Sequence, residues 1–300
     1  MRITRKLVIG FLAVSMLALL AVVAGPWRSS GADTGAAQCT RYATGPRDAA
    51  RSARPGDVVC FDGDLSRRRL VITRGGTARE PVTYSGGGAA VHGITVEADH
   101  VVVEGFRADR PAAPGVELTG DHLTLRDTTV IAPRGGDGDG IRFFGDHIRL
   151  LDNTVRDTGN SDGRHADCMQ TFASDTPTSH HVRIEGNRCE RVDNMCLMAE
   201  GPDDSDGEGD GRGTTSGFVI KDNHCETLRA AQALMFEDVQ DVTITGNTFA
   251  APTHHAIGLA DHSTGAHVGH NTLDPGIGYE VGIDASSRPG YEGPEPGGAP

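Results

Sequence analysis

A solenoid of stacked parallel strands is the fold this sequence predicts, and three observations predict it. One phrase, apolar-x-apolar-x-x-Asn with Phe106 and Thr128 in place of the Asn in its first two copies, recurs seven times between residues 101 and 271. The steps between its starts are 22, 25, 34, 36, 24 and 24 residues, so the base period has the size of one solenoid coil. Composition agrees: 41 Gly, 15 Pro and 5% aromatic residues suit a turn-rich stack of short strands, and no segment carries a helical stripe.

The elements follow in chain order. Residues 1–24 read as a signal peptide: Arg2, Arg5 and Lys6 precede an apolar run from Leu7 to Val23, with small residues at its end. A retained membrane anchor is the rival reading of that run. Its removal takes three positive charges from a chain of net charge −13, leaving −16. Residues 25–38 are a flexible segment, 39–285 the solenoid, and 286–300 a Pro/Gly-rich tail expected to be disordered. Export permits disulfides, and the six cysteines are an even set. So acidic and aromatic-poor a chain lacks the basic grooves and stacking rings of nucleic-acid binders. Once the signal is cleaved no membrane partner is expected, and a monomer is.

The strand phrases are Val101–Phe106, Leu123–Thr128, Ile148–Asn153, Val182–Asn187, Phe218–Asn223, Val242–Asn247 and Ala266–Asn271. The Asn column at 153, 187, 223, 247 and 271 is expected to form an amide ladder at a corner that tolerates left-handed backbone. A second strand follows in each coil, beginning near Val116, Ile141, Met169, Leu197, Leu234, Ile257 and Val281. Alternation then points Ile141, Met169, Leu197 and Leu234 inward, and Arg142, Gln170, Met198 and Met235 outward. Phe144, Phe172, Glu200 and Glu237 form the next outward column. In the coil register Cys168 stacks on Cys196 and Cys189 on Cys225, which predicts those two bonds and leaves Cys39–Cys60 for the N-terminal end.

The N-terminal region adds a likeness. Pro46–Arg54 is a helix candidate that runs into Pro55-Gly-Asp-Val-Val59, and Gly75-Gly-Thr-Ala-Arg-Glu-Pro-Val82 follows. This resembles the entrance of the pectate-lyase-like superfamily, in which a short helix caps a single-stranded right-handed parallel β-helix. The resemblance covers residues 45–285 as architecture. It implies an all-β fold and an extracellular polysaccharide as partner, with lyase, epimerase or hydrolase chemistry. The Arg- or Lys-centred signatures of the superfamily's best-known lyases are not identifiable here.

Residues beyond the base period locate the candidate site. They are Thr158–Asp167, the stretch between Met169 and Val182, and Gly201–Gly213, and all three flank the sheet made of the second strands. Loops on both sides of one parallel sheet make a groove, the shape that holds an extended polymer. Asp139 and Asp167 share one position on adjacent coils, as do Glu200 and Glu237. Carboxylates stacked about 4.8 Å apart raise a pKa or recruit a cation. His165 lies inside the first insertion with Asp162, Arg164 and Asp167, where an imidazole can serve as base, acid or ligand. The acidic stretch 203–211 resembles the start of a calcium loop, but Gly217 stands where an EF-hand needs Glu.

The first reading is therefore a secreted lyase that cleaves a uronate-containing polysaccharide by β-elimination. His165 is its base, Asp139, Asp167 and Glu200 hold Ca²⁺, and Arg142 or Arg164 binds the substrate carboxylate. Gln170 supports binding, and Phe144 and Phe172 offer a sugar-stacking platform. An acid–base hydrolase using Asp139/Asp167 or Glu200/Glu237, an epimerase of the same fold, and a non-catalytic carbohydrate- or cell-wall-binding solenoid are the alternatives.

Overall fold

The computed structural model describes residues 38–45, 52–61, 64–161, 165–203, 209, 211–250 and 253–300. The expected signal peptide, the cap helix over 46–51, Asp162, Arg164 and most of the acidic loop lie outside them. No helix among the described residues is long and apolar enough to cross a membrane.

Apolar alternation with a period of two places one side chain inside and the next outside, so each short strand has a core face. One coil shows the pattern: Val101–Glu104, Arg107–Asp109 and Val116–Thr119 each bury alternate residues. Stacking such coils gives three long parallel sheets among the described residues, here named A, B and C in the order each coil visits them. They hold ten, eight and nine strands. Sheet B was absent from the sequence reading. Its strands run two to five residues and each buries little more than one apolar side chain, as at Ala108, Val130, Val155, Cys189, Cys225 and Phe249.

The predicted inward column is present. In sheet C, Leu70, Ile94, Val116, Ile141, Met169, Leu197, Leu234, Ile257 and Val281 are successive register partners. In sheet A, Tyr84, Val103, Leu125, Leu150, Ile184, Ile220, Ile244 and Val268 do the same. All are buried, and full burial of an aliphatic side chain contributes about 1.5–3 kcal/mol.

The A–B corner carries the Asn ladder. Each Asn Oδ1 accepts from the backbone N–H and the side-chain Nδ2 of the Asn one coil earlier, at 2.9–3.1 Å, from Asn153 through Asn271. The left-handed backbone belongs to the residue before each Asn: Asp152, Gly186, Asp222, Gly246 and His270 have φ between 53° and 71°. Moving the left-handed residue one place back leaves the Asn free to aim its amide inward.

Three disulfides are present, and two differ from expectation. Cys39–Cys60 is as predicted. The others are Cys168–Cys189 and Cys196–Cys225, not Cys168–Cys196 and Cys189–Cys225. The columns were right, since Cys189 does stack on Cys225. Stacked neighbours project in parallel, however, and their Cβ atoms stay about a strand spacing apart, beyond the usual 3.5–4.5 Å of a bonded pair. Cysteines on different walls converge across the interior, so each bond joins the edge of sheet C to sheet B one coil onward.

The tail also departs from expectation. Glu292 N donates to Ala266 O, Glu292 O accepts from Val268 N, and Ile283 N donates to Gly298 O. Parallel bridges His267–Glu292 and Gly282–Gly298 continue sheets A and C. The end of a solenoid exposes unpaired strand edges, and the tail covers them despite its Pro/Gly content.

Candidate functional site

The outer face of sheet C, between the insertions, gathers most of the predicted residues. Its register aligns Arg142 with Gln170, Gln170 with Met198, Met198 with Met235 and Glu200 with Glu237. Asp139 and Asp167 lie at the entry edge of the same sheet and are both buried. Between Asp139 and the inward Ile141 stands Gly140, where a Cβ would come 2.7 Å from the Cys168 carbonyl. The coils pack too closely there for any side chain.

The two aspartates continue the coil-to-coil hydrogen bonding. Asp139 Oδ1 accepts the Asp167 N–H at 2.9 Å, and Asp167 Oδ1 accepts the Met195 N–H at 2.8 Å. Asn194 Nδ2 also donates to Asp167 Oδ1 at 2.8 Å. Asn194 was missed in the sequence, although the Cys168/Cys196 alignment puts Met195 in the aspartate column and Asn194 beside it.

The environments of the two carboxyls differ. Asp139 is covered by Arg142, whose Nε donates to its Oδ2 at 2.6 Å, while Nη2 reaches Asp137 and Asp139. Burial raises the Asp139 pKa and the Arg142 charge opposes the rise, leaving it above the ordinary value. Asp167 has no such cation. Burial, then the Asp139 charge and the nearby Glu200, push its carboxyl well above the usual range against the bonds from Met195 and Asn194. Its Oδ2 is buried with no hydrogen-bond donor among the described residues, and so is Gln170 Oε1. Gln170 follows Asp167 by three positions, as Arg142 follows Asp139.

Three expectations change. Phe144 is only 3% exposed, because it packs edge-on against Phe172 at 4.9 Å between ring centres. A phenyl ring facing solvent gains by covering itself, so only the half-buried Phe172, with the Arg142 guanidinium 5.3 Å above it, remains for stacking. Arg142 is committed to two carboxylates of its own chain rather than left free for a substrate. Met198 and Met235 face outward as predicted but are buried with Ala260 and the partly buried Met195 as an apolar band.

His165 is exposed at the rim. Its return limb is tied down: Thr158 Oγ1 donates to Ala166 O, Asn160 Oδ1 accepts Ala166 N, and Asp193 Oδ2 accepts Asn160 N. Arg164 and Asp162 lie outside the described residues. Glu200 and Glu237 are half-buried and stacked, and Gln170 Nε2 lies 3.5 Å from Glu200 Oε2.

The proposed calcium ligands do not fit a cation. Both Asp139 oxygens are engaged, by Arg142 and the Asp167 amide, and Asp167 Oδ1 accepts from Met195 N and Asn194 Nδ2. Asp139, Asp167 and Glu200 are not a cluster with mutually close ligand atoms. The group among the described residues that is one lies elsewhere, at Asp146, His147 and His181.

No protein-family model and no curated protein matches the chain. Solved structures do. A mannuronic acid specific polysaccharide family 6 lyase from human gut microbiota superposes with a TM-score of 0.59 at 12% identity, over 81% of this chain and 67% of that one. A pectate lyase gives 0.53 at 11% identity, over 85% and 79%. A tailspike protein of an E. coli bacteriophage, in complex with a pentasaccharide, gives 0.51 at 13% identity, over 79% and 45%. The chain spans 40% of the length of an alginate lyase that it also matches. At these identities the likeness is one of fold: this chain is a right-handed parallel β-helix.

Proposed function

From that fold, we propose that the protein is an exported enzyme that cleaves an acidic polysaccharide by β-elimination on the outer face of sheet C. The observation that carries the reading is the juxtaposition there of an exposed His165 with a buried, proton-holding Asp167 beneath Gln170. The lyases that share the fold are named for mannuronic acid and pectate, which makes a uronate polymer the substrate class to test. Three disulfides support an oxidising, extracellular setting.

In this mechanism His165 takes the proton α to the uronate carboxylate. The electron pair forms the C=C bond, and the glycosidic oxygen leaves with a proton taken from solvent. The face is acidic, with Asp137, Asp139, Glu200 and Glu237 against Arg142, so a uronate needs neutral donors or a further cation against its carboxylate. A proton on Asp167 turns its unpartnered Oδ2 into a donor, three positions before Gln170, whose Oε1 is the other unpartnered acceptor. Gln170 then turns its NH₂ toward Glu200 and the groove. Phe172 supplies a sugar-facing ring, and Arg164, the sequence neighbour of His165, is a candidate cation for a substrate carboxylate.

A second reading rests on the raised Asp167 carboxyl beside Glu200. An acid and a base whose environments drive their pKa values apart are the pair a hydrolase uses. Incubation with alginate, polygalacturonate and glycosaminoglycans separates the readings. Ultraviolet absorbance from a new C=C bond supports elimination, reducing ends without it support hydrolysis, and binding without turnover supports a carbohydrate-binding solenoid. With an active substrate, His165→Ala is expected to lower turnover about 10²–10⁴-fold with folding unchanged. Full activity in that variant removes His165 from the mechanism.

A further inference from the structure

The turn between sheets C and A carries a column of histidines that the groove does not use. His100, His122, His147 and His181 each precede a sheet A strand and have φ of 47–56°. Their rings stack in sequence, with centroids 4.7, 4.6 and 4.7 Å apart. At one end of the column Asp146 stands between two rings. Its Oδ2 is 2.9 Å from His147 Nδ1, and its Oδ1 is 2.8 Å from His181 Nδ1.

We propose that Asp146, His147 and His181 form a surface site for a divalent transition metal of the zinc class. The donor set is two imidazole nitrogens and one carboxylate oxygen, the set that Zn²⁺ prefers and that Ca²⁺ and Mg²⁺, which take oxygen, do not. The three ligand atoms already lie within 4.8 Å of one another. Tetrahedral zinc holds such atoms about 3.3 Å apart, a closure that rotation of exposed side chains supplies.

The backbone beneath is preorganised. His147 N donates to His180 O at 3.0 Å, His181 N to Ser216 O at 3.1 Å, and Asp146 N to Asp121 Oδ1 at 2.9 Å. Both ligand-bearing coils are therefore pinned before any metal arrives, and the left-handed backbone at each histidine sets the ring direction. His180, next in sequence, is excluded from the ligand set because its two ring nitrogens face Ser216 and Thr178. Binding at Nδ1 takes each imidazole in the tautomer that carries its single proton on Nε2, the nitrogen remote from Asp146. The ion would join two adjacent coils where the insertion after Met169 returns to sheet A, clamping one wall of the groove.

The experiment is a calorimetric titration of the untagged full chain with ZnCl₂, and with CaCl₂ for comparison. One Zn²⁺ per chain is expected, without a matching Ca²⁺ event. His181→Gln and Asp146→Asn should each weaken that binding at least tenfold, while His100→Gln, at the far end of the column, should leave it unchanged. Co²⁺ in place of Zn²⁺ should give a tetrahedral ligand-field band that disappears in His181→Gln, and circular dichroism of each variant verifies its fold. No Zn²⁺ binding by the wild type, or equal affinity in wild type and His181→Gln, overturns the proposal. An equal response to Ca²⁺ overturns it as well.

Discussion

Removing one amide from the middle of the Asn ladder tests what holds the coils in register. Asn187 Oδ1 accepts from Asn153 N at 2.9 Å and from Asn153 Nδ2 at 3.0 Å. Its own Nδ2 donates to Leu150 O at 2.8 Å and to Asn223 Oδ1 at 3.0 Å. Asn187→Ala deletes these bonds and leaves the buried Asn153 N–H without an acceptor. An orphaned buried donor costs about 1–3 kcal/mol, and each lost neutral bond about 1 kcal/mol net. Solvent reaching the corner recovers part of this, so the expected loss is about 3–4 kcal/mol. In a chain of this size that lowers Tm by roughly 6–15 °C. Asn187→Asp separates the contributions. It keeps the acceptor for Asn153 but turns a carboxylate toward Leu150 O and Asn223 Oδ1, so its penalty should be larger at pH 7 than at pH 4. Urea unfolding followed by circular dichroism measures both variants. A loss below about 1 kcal/mol for Asn187→Ala, or a pH-independent Asn187→Asp, refutes the view that the ladder carries the corner.

Two further predictions concern pH. Asp167 has a folded pKa raised above its unfolded value, so its contribution to stability is present at low pH and lost as pH rises through the folded pKa. Asp167→Asn, whose amide supplies Gln170 Oε1 with a permanent donor, should gain on the wild type as pH rises; a difference that does not change with pH refutes the buried acid. His255 runs the opposite way: it is 2% exposed with Nε2 buried and unpartnered, and burial, with a smaller push from His254, lowers its pKa to about 4. Its contribution is present above about pH 6.5 and lost as pH falls toward 4. His255→Phe, which keeps a ring against Tyr279 at the tail, should remove that acid-side loss from urea unfolding curves, and an unchanged acid limb removes His255 as its cause.

What the sequence disclosed was whatever depends on coil-to-coil equivalence. The inward column, the Asn ladder and the alignments of Asp139 with Asp167 and Glu200 with Glu237 follow from counting residues, because a solenoid repeats position as well as composition. What it hid depends on direction across the coil. Sheet B has one inward residue flanked by two polar ones, too short an alternation to register as a strand. The disulfides join walls rather than neighbours, and a linear alignment contains neighbours only. Phe144 was rightly placed on the outer face, yet facing outward does not mean exposed when the next coil offers Phe172. Asp167 combines both kinds of information. Its position was legible, but its character comes from Arg142 standing over Asp139 while Gln170 stands over Asp167. A cation on one coil and an amide on the next make two aligned aspartates chemically unequal: the Arg142 charge opposes the rise at Asp139, and no cation opposes it at Asp167 among the described residues. That inequality is what a groove needs if acid and base work are to be divided between neighbouring coils of one repeating fold.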